Sequence, residues 1–212
     1  MFIRTGRIQY IVMAFILSGF IVFGRQFIIL WAGPDYEDAY LMTLLFFISL
    51  LPPLIQNLGI TILQARNQMK FRSLLYIVIA IISLFIQIIL ANKYGGLGCA
   101  IAVSGALLLG QGVIMNIYYH NKQSLDTLSF WFEILKMSIV PIILCAISIY
   151  LIRNTVLDNW FSLGMAISAF TLVYIPLFFY ISLNQYERDM FIKPIKKVIK
   201  RKNCRHLHSE AH

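Results

Sequence analysis

The chain has 212 residues, of which 59% are hydrophobic and 13% charged, with a formal net charge of +9 and a mean hydropathy of +0.77. A soluble domain of this length keeps much of its surface wet and has no use for so much apolar side chain. The composition excludes a soluble enzyme, a disordered chain and a disulfide scaffold, and it predicts an all-α polytopic membrane protein. The apolar runs are long and continuous, without the alternation of barrel strands. Cys99, Cys145 and Cys204 are far apart and form no CxxC pair, so neither a disulfide framework nor a zinc site is indicated.

Six stretches approach the roughly 20 apolar residues that a span needs. The first runs from about Ile8 to Leu30. Arg4 and Arg7 precede it as in a signal peptide. However, Phe23, Arg25 and Phe27 stand where cleavage would fall, so it reads as a retained helix. Arg25 is the only charge inside an apolar run. It either snorkels outward or meets an anionic head group. The second run, Tyr40 to Gln64, holds no charge but carries Pro52 and Pro53 near its middle, which predicts a kink. Gln56 and Asn57 follow, and Pro53, Asn57, Thr61 and Gln64 recur at helical spacing on one face. That polar stripe suits the wall of a water-filled cavity, or interhelical hydrogen bonds of about 0.6 kcal/mol each.

The third run, Leu74 to Asn92, carries Ser83 and Gln87. The fourth, Leu97 to Tyr119, has Ser104, Gln111 and Asn116, and a ridge of Gly98, Ala102, Ala106 and Gly110 that permits close helix approach. The fifth runs from about Ile134 to Ile152 and the sixth from Trp160 to Leu183. Short connections predict antiparallel hairpins.

Fifteen of the 18 lysines and arginines fall on one side of this six-span arrangement, leaving only Arg25, Lys93 and Arg153 on the other. Basic residues favour the cytoplasmic side, so both termini are expected there. This distribution also argues against nucleic acid as a partner. The basic tail Lys193–Arg205 is a topology anchor or a site for anionic lipid. Its end, with Cys204, His206, His208 and His212, matches no standard metal spacing and reads as a disordered terminus. No nucleotide loop, catalytic triad or metalloprotease helix is present in the sequence.

Four segments together resemble a family. Phe23–Ala39 is similar to a recurrent segment of bacterial polysaccharide flippases, with Gly33, Tyr36 and Ala39 at the matching positions. Gln64–Lys70 resembles the basic turn after the next helix in that family. Tyr94–Ala100, with Gly95 and Gly98, resembles a later helix entry, and Tyr118–Lys122 the basic exit that follows. The family belongs to the multidrug, oligosaccharidyl-lipid and polysaccharide exporter group, whose members resemble two six-helix lobes, often with two added helices.

The resemblance implies that residues 1–122 correspond to the last four helices of the C-terminal lobe. Residues 123–186 correspond to the two added helices, and 187–212 form a basic cytoplasmic tail. It implies a plasma-membrane flippase moving undecaprenyl-diphosphate-linked oligosaccharide, incomplete alone, with a separately encoded N-terminal lobe or a second copy as partner. No cofactor, metal or catalytic residue is expected. The candidates for the substrate cavity are Gln56, Asn57, Thr61, Gln64, Gln87 and Arg25. Those for a groove that holds the polyprenyl tail are Ile142, Ala146, Leu172 and Pro176. The alternatives are a membrane-embedded glycan polymerase or ligase, against which the short outer loops argue, and a non-transporting assembly subunit.

Overall fold

The computed structural model describes residues 2–123, 126–152 and 159–182. Every element among them is helical: α1 (Phe2–Ala32), a 3-10 turn (Pro34–Tyr36), α2 (Asp38–Ile55), α3 (Asn57–Ala65), α4 (Lys70–Leu107), a π-helical segment (Leu108–Ile114), α5 (Met115–Gln123), α6 (Thr127–Ile152) and α7 (Trp160–Ile181). The basic tail, its Cys204–His212 end, Arg153 and Leu183 lie outside the described residues.

Five helical stretches are long and apolar enough to cross a membrane: Ile3–Ala32, Pro34–Ile55, Lys70–Lys122, Thr127–Ile152 and Trp160–Ile181. The third has 53 residues. Straight, it would be about 80 Å long, more than twice the thickness of the hydrocarbon layer. It is not straight. Gly95 adopts φ 57° and ψ −136°, a conformation that side chains disfavour, and the helix reverses there. Phe71 stacks on Tyr118 with ring centroids 4.3 Å apart. The Ile79 side chain fills the space over Gly110, and the Leu90 carbonyl lies against Gly98. All three contacts are centred on Tyr94 or on its bond to Gly95, so α4 folds into two antiparallel limbs. The small residues of the expected ridge are what let the limbs meet.

Side-chain pairs give the direction of the other helices. Against α2, Tyr40 donates to the Ile21 carbonyl and stacks on Phe20, while the Ile55 carbonyl lies against Gly6, so α1 and α2 are antiparallel. Phe15–Tyr174, Phe23–Phe170 and Phe27–Trp160 set α7 antiparallel to α1. Arg7 pairs with Glu133, Tyr10 with Ser138 at 2.5 Å, and the Cys145 thiol approaches the Ser18 carbonyl at 3.7 Å; the two sets advance together, so α6 runs parallel to α1. In the same way, Met42 lies at Gly96 and Gln56 at Asn116, which makes α2 parallel to the second limb of α4. Arg7 also donates to the Ser182 carbonyl at 3.4 Å, which brings the start of α1 to the end of α7.

The main core forms where α1, α6 and α7 meet, around Phe23, Phe130, Met137, Phe170 and Tyr174. Leu63, Met115 and Tyr119 form a smaller core that joins α3 to α5. Helix α1 starts at Phe2 and α4 at Lys70, earlier than the expected Ile8 and Leu74, and two further boundaries differ from expectation. The helix expected from Ile134 begins at Thr127, because the Asp126 carboxylate accepts the Ser129 N–H at 3.2 Å and caps it there. The helix expected over Tyr40–Gln64 is two helices, interrupted at Gln56.

A side chain at Gly98 would fall on the Leu90 carbonyl, whereas one at Gly105 meets nothing within 4 Å. Gly98→Val is therefore expected to open the hairpin and lower the Tm of the detergent-solubilised protein by several degrees or abolish folding. Gly105→Ala should leave the Tm unchanged or slightly raised.

Candidate functional site

Pro52 and Pro53 lack N–H groups, so α2 loses two of its own hydrogen bonds just before it stops. Gln56 sits at φ −100° and ψ 19°. Its N–H still reaches the Pro52 carbonyl at 3.1 Å, but the Gly59 N–H turns to the Gln56 carbonyl at 2.9 Å. The Ile55 carbonyl is thereby left without its usual partner, and α1 satisfies it. With its amide oriented by that network, Gln9 donates to Leu54 at 3.2 Å and to Ile55 at 3.0 Å.

The Gln56 side chain turns inward and is 2% exposed. Its Nε2 donates to Asn116 Oδ1 at 2.7 Å, and the Trp131 indole N–H donates to the same oxygen at 2.9 Å. Asn116 Nδ2 donates to the Gly112 carbonyl at 2.6 Å. One carboxamide thus ties α2, α5, the π-helical segment and α6 together. Gly112 lies against the Pro52 ring, which keeps the two interruptions level with each other. π-Bulges of this kind recur at functional sites.

Beside this network, between α5 and the start of α6, runs an open groove of about 390 Å³. Val113, Ile117 and Leu128 form its apolar walls, and His120, Asn121 and Thr127 lie at its mouth. Outside the apolar helices, the Ser129 hydroxyl and N–H hold the Asp126 carboxyl below the usual carboxylate range.

The substrate-cavity candidates do not come together. Asn57, Thr61 and Gln64 share the exposed face of α3, and Thr61 donates to its own helix at the Asn57 carbonyl. Gln56, one residue before Asn57, points the opposite way into the helix bundle. Gln87 is half-buried and donates to Ser83 at 2.9 Å. Arg25 forms an exposed ion pair with Glu37, with N–O distances of 2.6 and 2.8 Å. The four groove candidates for the lipid tail all lie on exposed faces, Ile142 and Ala146 on α6 and Leu172 and Pro176 on α7.

Two features are not marked in the sequence. Asn116 stands out there only as one polar residue among several, with nothing to say that it bonds Gln56 and Trp131. Arg7, read with Arg4 as a cytoplasmic-side basic residue preceding the first span, is 4% exposed and ion-paired to Glu133. Comparison with protein-family models, with curated proteins and with solved structures gives no match.

Removing Asn116 strands the buried Gln56 donor and the half-buried Trp131 donor at once. Asn116→Ala should cost about 1–3 kcal/mol of unfolding free energy in detergent micelles. Asn57→Ala, Thr61→Ala and Gln64→Ala, on the exposed face, should each stay within about 0.5 kcal/mol of the parent. A double-mutant cycle of Gln56→Leu with Asn116→Leu should show clear non-additivity.

Proposed function

We propose that the chain is a six-span plasma-membrane protein with both ends in the cytoplasm, and that it forms part of a flippase for polyprenyl-diphosphate-linked oligosaccharide. The observation that carries this reading is the polar stripe of Asn57, Thr61 and Gln64. It lies just beyond a broken membrane helix and is exposed on the outside of the bundle. Amides facing hydrocarbon are costly. A second lobe or a second copy set against α3 turns the same stripe into one wall of a polar cavity, which a glycan needs to pass through the membrane.

Two further points support the reading. The four segments that resemble the polysaccharide flippases fall at chain connections: the end of α1 with the 3-10 turn, the α3–α4 turn, the reversal at Gly95 and the end of α5. The exposed apolar faces of α6 and α7 around Ile142 and Leu172 offer the polyprenyl tail a path alongside the protein. In this mechanism the glycan crosses along the polar wall while its tail stays in lipid, and no covalent bond is made or broken.

Orientation is tested by single cysteines in intact cells. Substitutions at Asp35 and Lys93 should be labelled by an impermeant reagent and one at Lys70 should not, and labelling at Lys70 would reverse the topology. Transport is tested with a fluorescent polyprenyl-linked sugar in liposomes. The chain alone, as a monomer, should flip it weakly or not at all, with activity appearing on self-association or on adding the partner lobe. Asn57→Leu with Gln64→Leu should then lower the rate at least tenfold. A stable monomer that flips the lipid would defeat the two-lobe requirement. A fully active Leu variant would remove the stripe from the transport path.

A further inference from the structure

The groove between α5 and α6 starts at the end of the bundle where Arg7 meets Glu133 and descends toward Gly112. From His120 to Gly112 it covers two turns of helix, about 12 Å. Its depth is apolar: Val113 and Ile117 are 50% and 56% exposed along one wall and Leu128 is 75% exposed on the other. At the Asn116 floor, Oδ1 already accepts two hydrogen bonds and Nδ2 donates one within the protein.

The mouth is different in kind. Thr127 is 5% exposed, and its hydroxyl has no hydrogen-bond partner among the described residues. It opens α6, a 26-residue helix whose first internal hydrogen bond is Phe130 N–H to the Asp126 carbonyl. The N–H groups of Thr127 and Leu128 are therefore left to outside partners, as at any helix start. His120 and Asn121 complete the rim, and exposed Lys122 follows them in the chain. The rim also carries one negative group, the Asp126 carboxylate, within electrostatic reach of His120. Hydrogen-bond donors and the Lys122 ammonium thus stand next to a single carboxylate, at the top of an apolar channel.

We propose that this groove is a binding site for one membrane phospholipid with a zwitterionic phosphoethanolamine head. One acyl chain lies between Ile117 and Leu128. The phosphate meets Thr127, the opening N–H groups of α6 and His120, and the ammonium meets Asp126. A purely anionic head satisfies the donors but sets a second negative charge beside Asp126, so it binds less well. This site lies about four turns along α6 from Ile142 and does not depend on the transport reading.

The test is native mass spectrometry of the full chain in detergent, titrated with phosphatidylethanolamine or phosphatidylglycerol. Phosphatidylethanolamine should give one retained lipid, at least tenfold tighter than phosphatidylglycerol. Ile117→Trp or Val113→Trp, each on an exposed wall, should weaken that lipid at least tenfold, while Ile142→Trp, about four turns further along α6 than Leu128 and outside the groove, leaves it unchanged. Asp126→Asn keeps a good helix cap and should bring the two lipids to equal affinity. Unchanged binding in both tryptophan variants overturns the site, as does a change of oligomeric state in place of lipid loss. Equal binding of the two lipids by the parent chain overturns the head-group assignment. Loss of flipping with lipid binding intact, or the reverse, separates this site from the proposed function.

Discussion

A peptide group inside hydrocarbon has no water to bond to, so wherever a membrane helix is interrupted the freed groups must find partners in the protein. The interruption of α2 at Gln56 imposes that demand near the centre of this structure. Gln9 answers it from α1 by taking the Leu54 and Ile55 carbonyls. Gln56 itself is polar and buried, and Asn116 answers it from α5. Trp131 joins from α6 on the same oxygen. Four helices are therefore positioned by the repair of one break, and the groove beside Asn116 takes its shape from them.

The two ends of α1 carry ion pairs of unlike character. Arg25 and Glu37 are both largely exposed, and such a pair contributes at most about 1 kcal/mol. Arg7 is enclosed and reaches both Glu133 and the Ser182 carbonyl at the end of α7. Removing one partner of an enclosed pair leaves a charge stranded away from water, which is far more costly. The bundle is thus fastened firmly at one end and loosely at the other, and the loose end holds the Gly33 turn and Trp31, which is 73% exposed.

Much of this architecture is legible in the residues. The apolar runs mark the helices, the paired prolines announce a break in the second, and Gly95 with its neighbours marks the reversal between the third and fourth. The spacing of Asn57, Thr61 and Gln64 gives one face of α3, as observed. What spacing does not carry is the neighbour opposite that face. The break rotates Gln56 away from Asn57, so adjacent amides have opposite environments, and no periodicity reveals it. The expected extension of that face back to Pro53 fails for the same reason, because the break at Gln56 falls between Pro53 and Asn57. Nor does the chain mark Asn116 over Ser104 or Gln111, since all three are isolated polar residues in one apolar run. Arg7 reads as a cytoplasmic-side cation because a charge three residues from Arg4 and near the start of a run has no local mark of enclosure. Its partner lies 126 residues away.

That separation bears on how the protein is made. Synthesis proceeds at roughly 5–20 residues per second, so Glu133 emerges about 6–25 s after Arg7. During that interval α1 is already in the membrane with α2 against it. The side that will receive α6 and α7, with Arg7, Tyr10 and the Ser18 carbonyl, still lacks its partners. The nascent helix must be sheltered by lipid head groups, by the insertion machinery or by a chaperone until the last two helices arrive. Of the described helices, α1 comes earliest in the chain and is among the last to complete its packing.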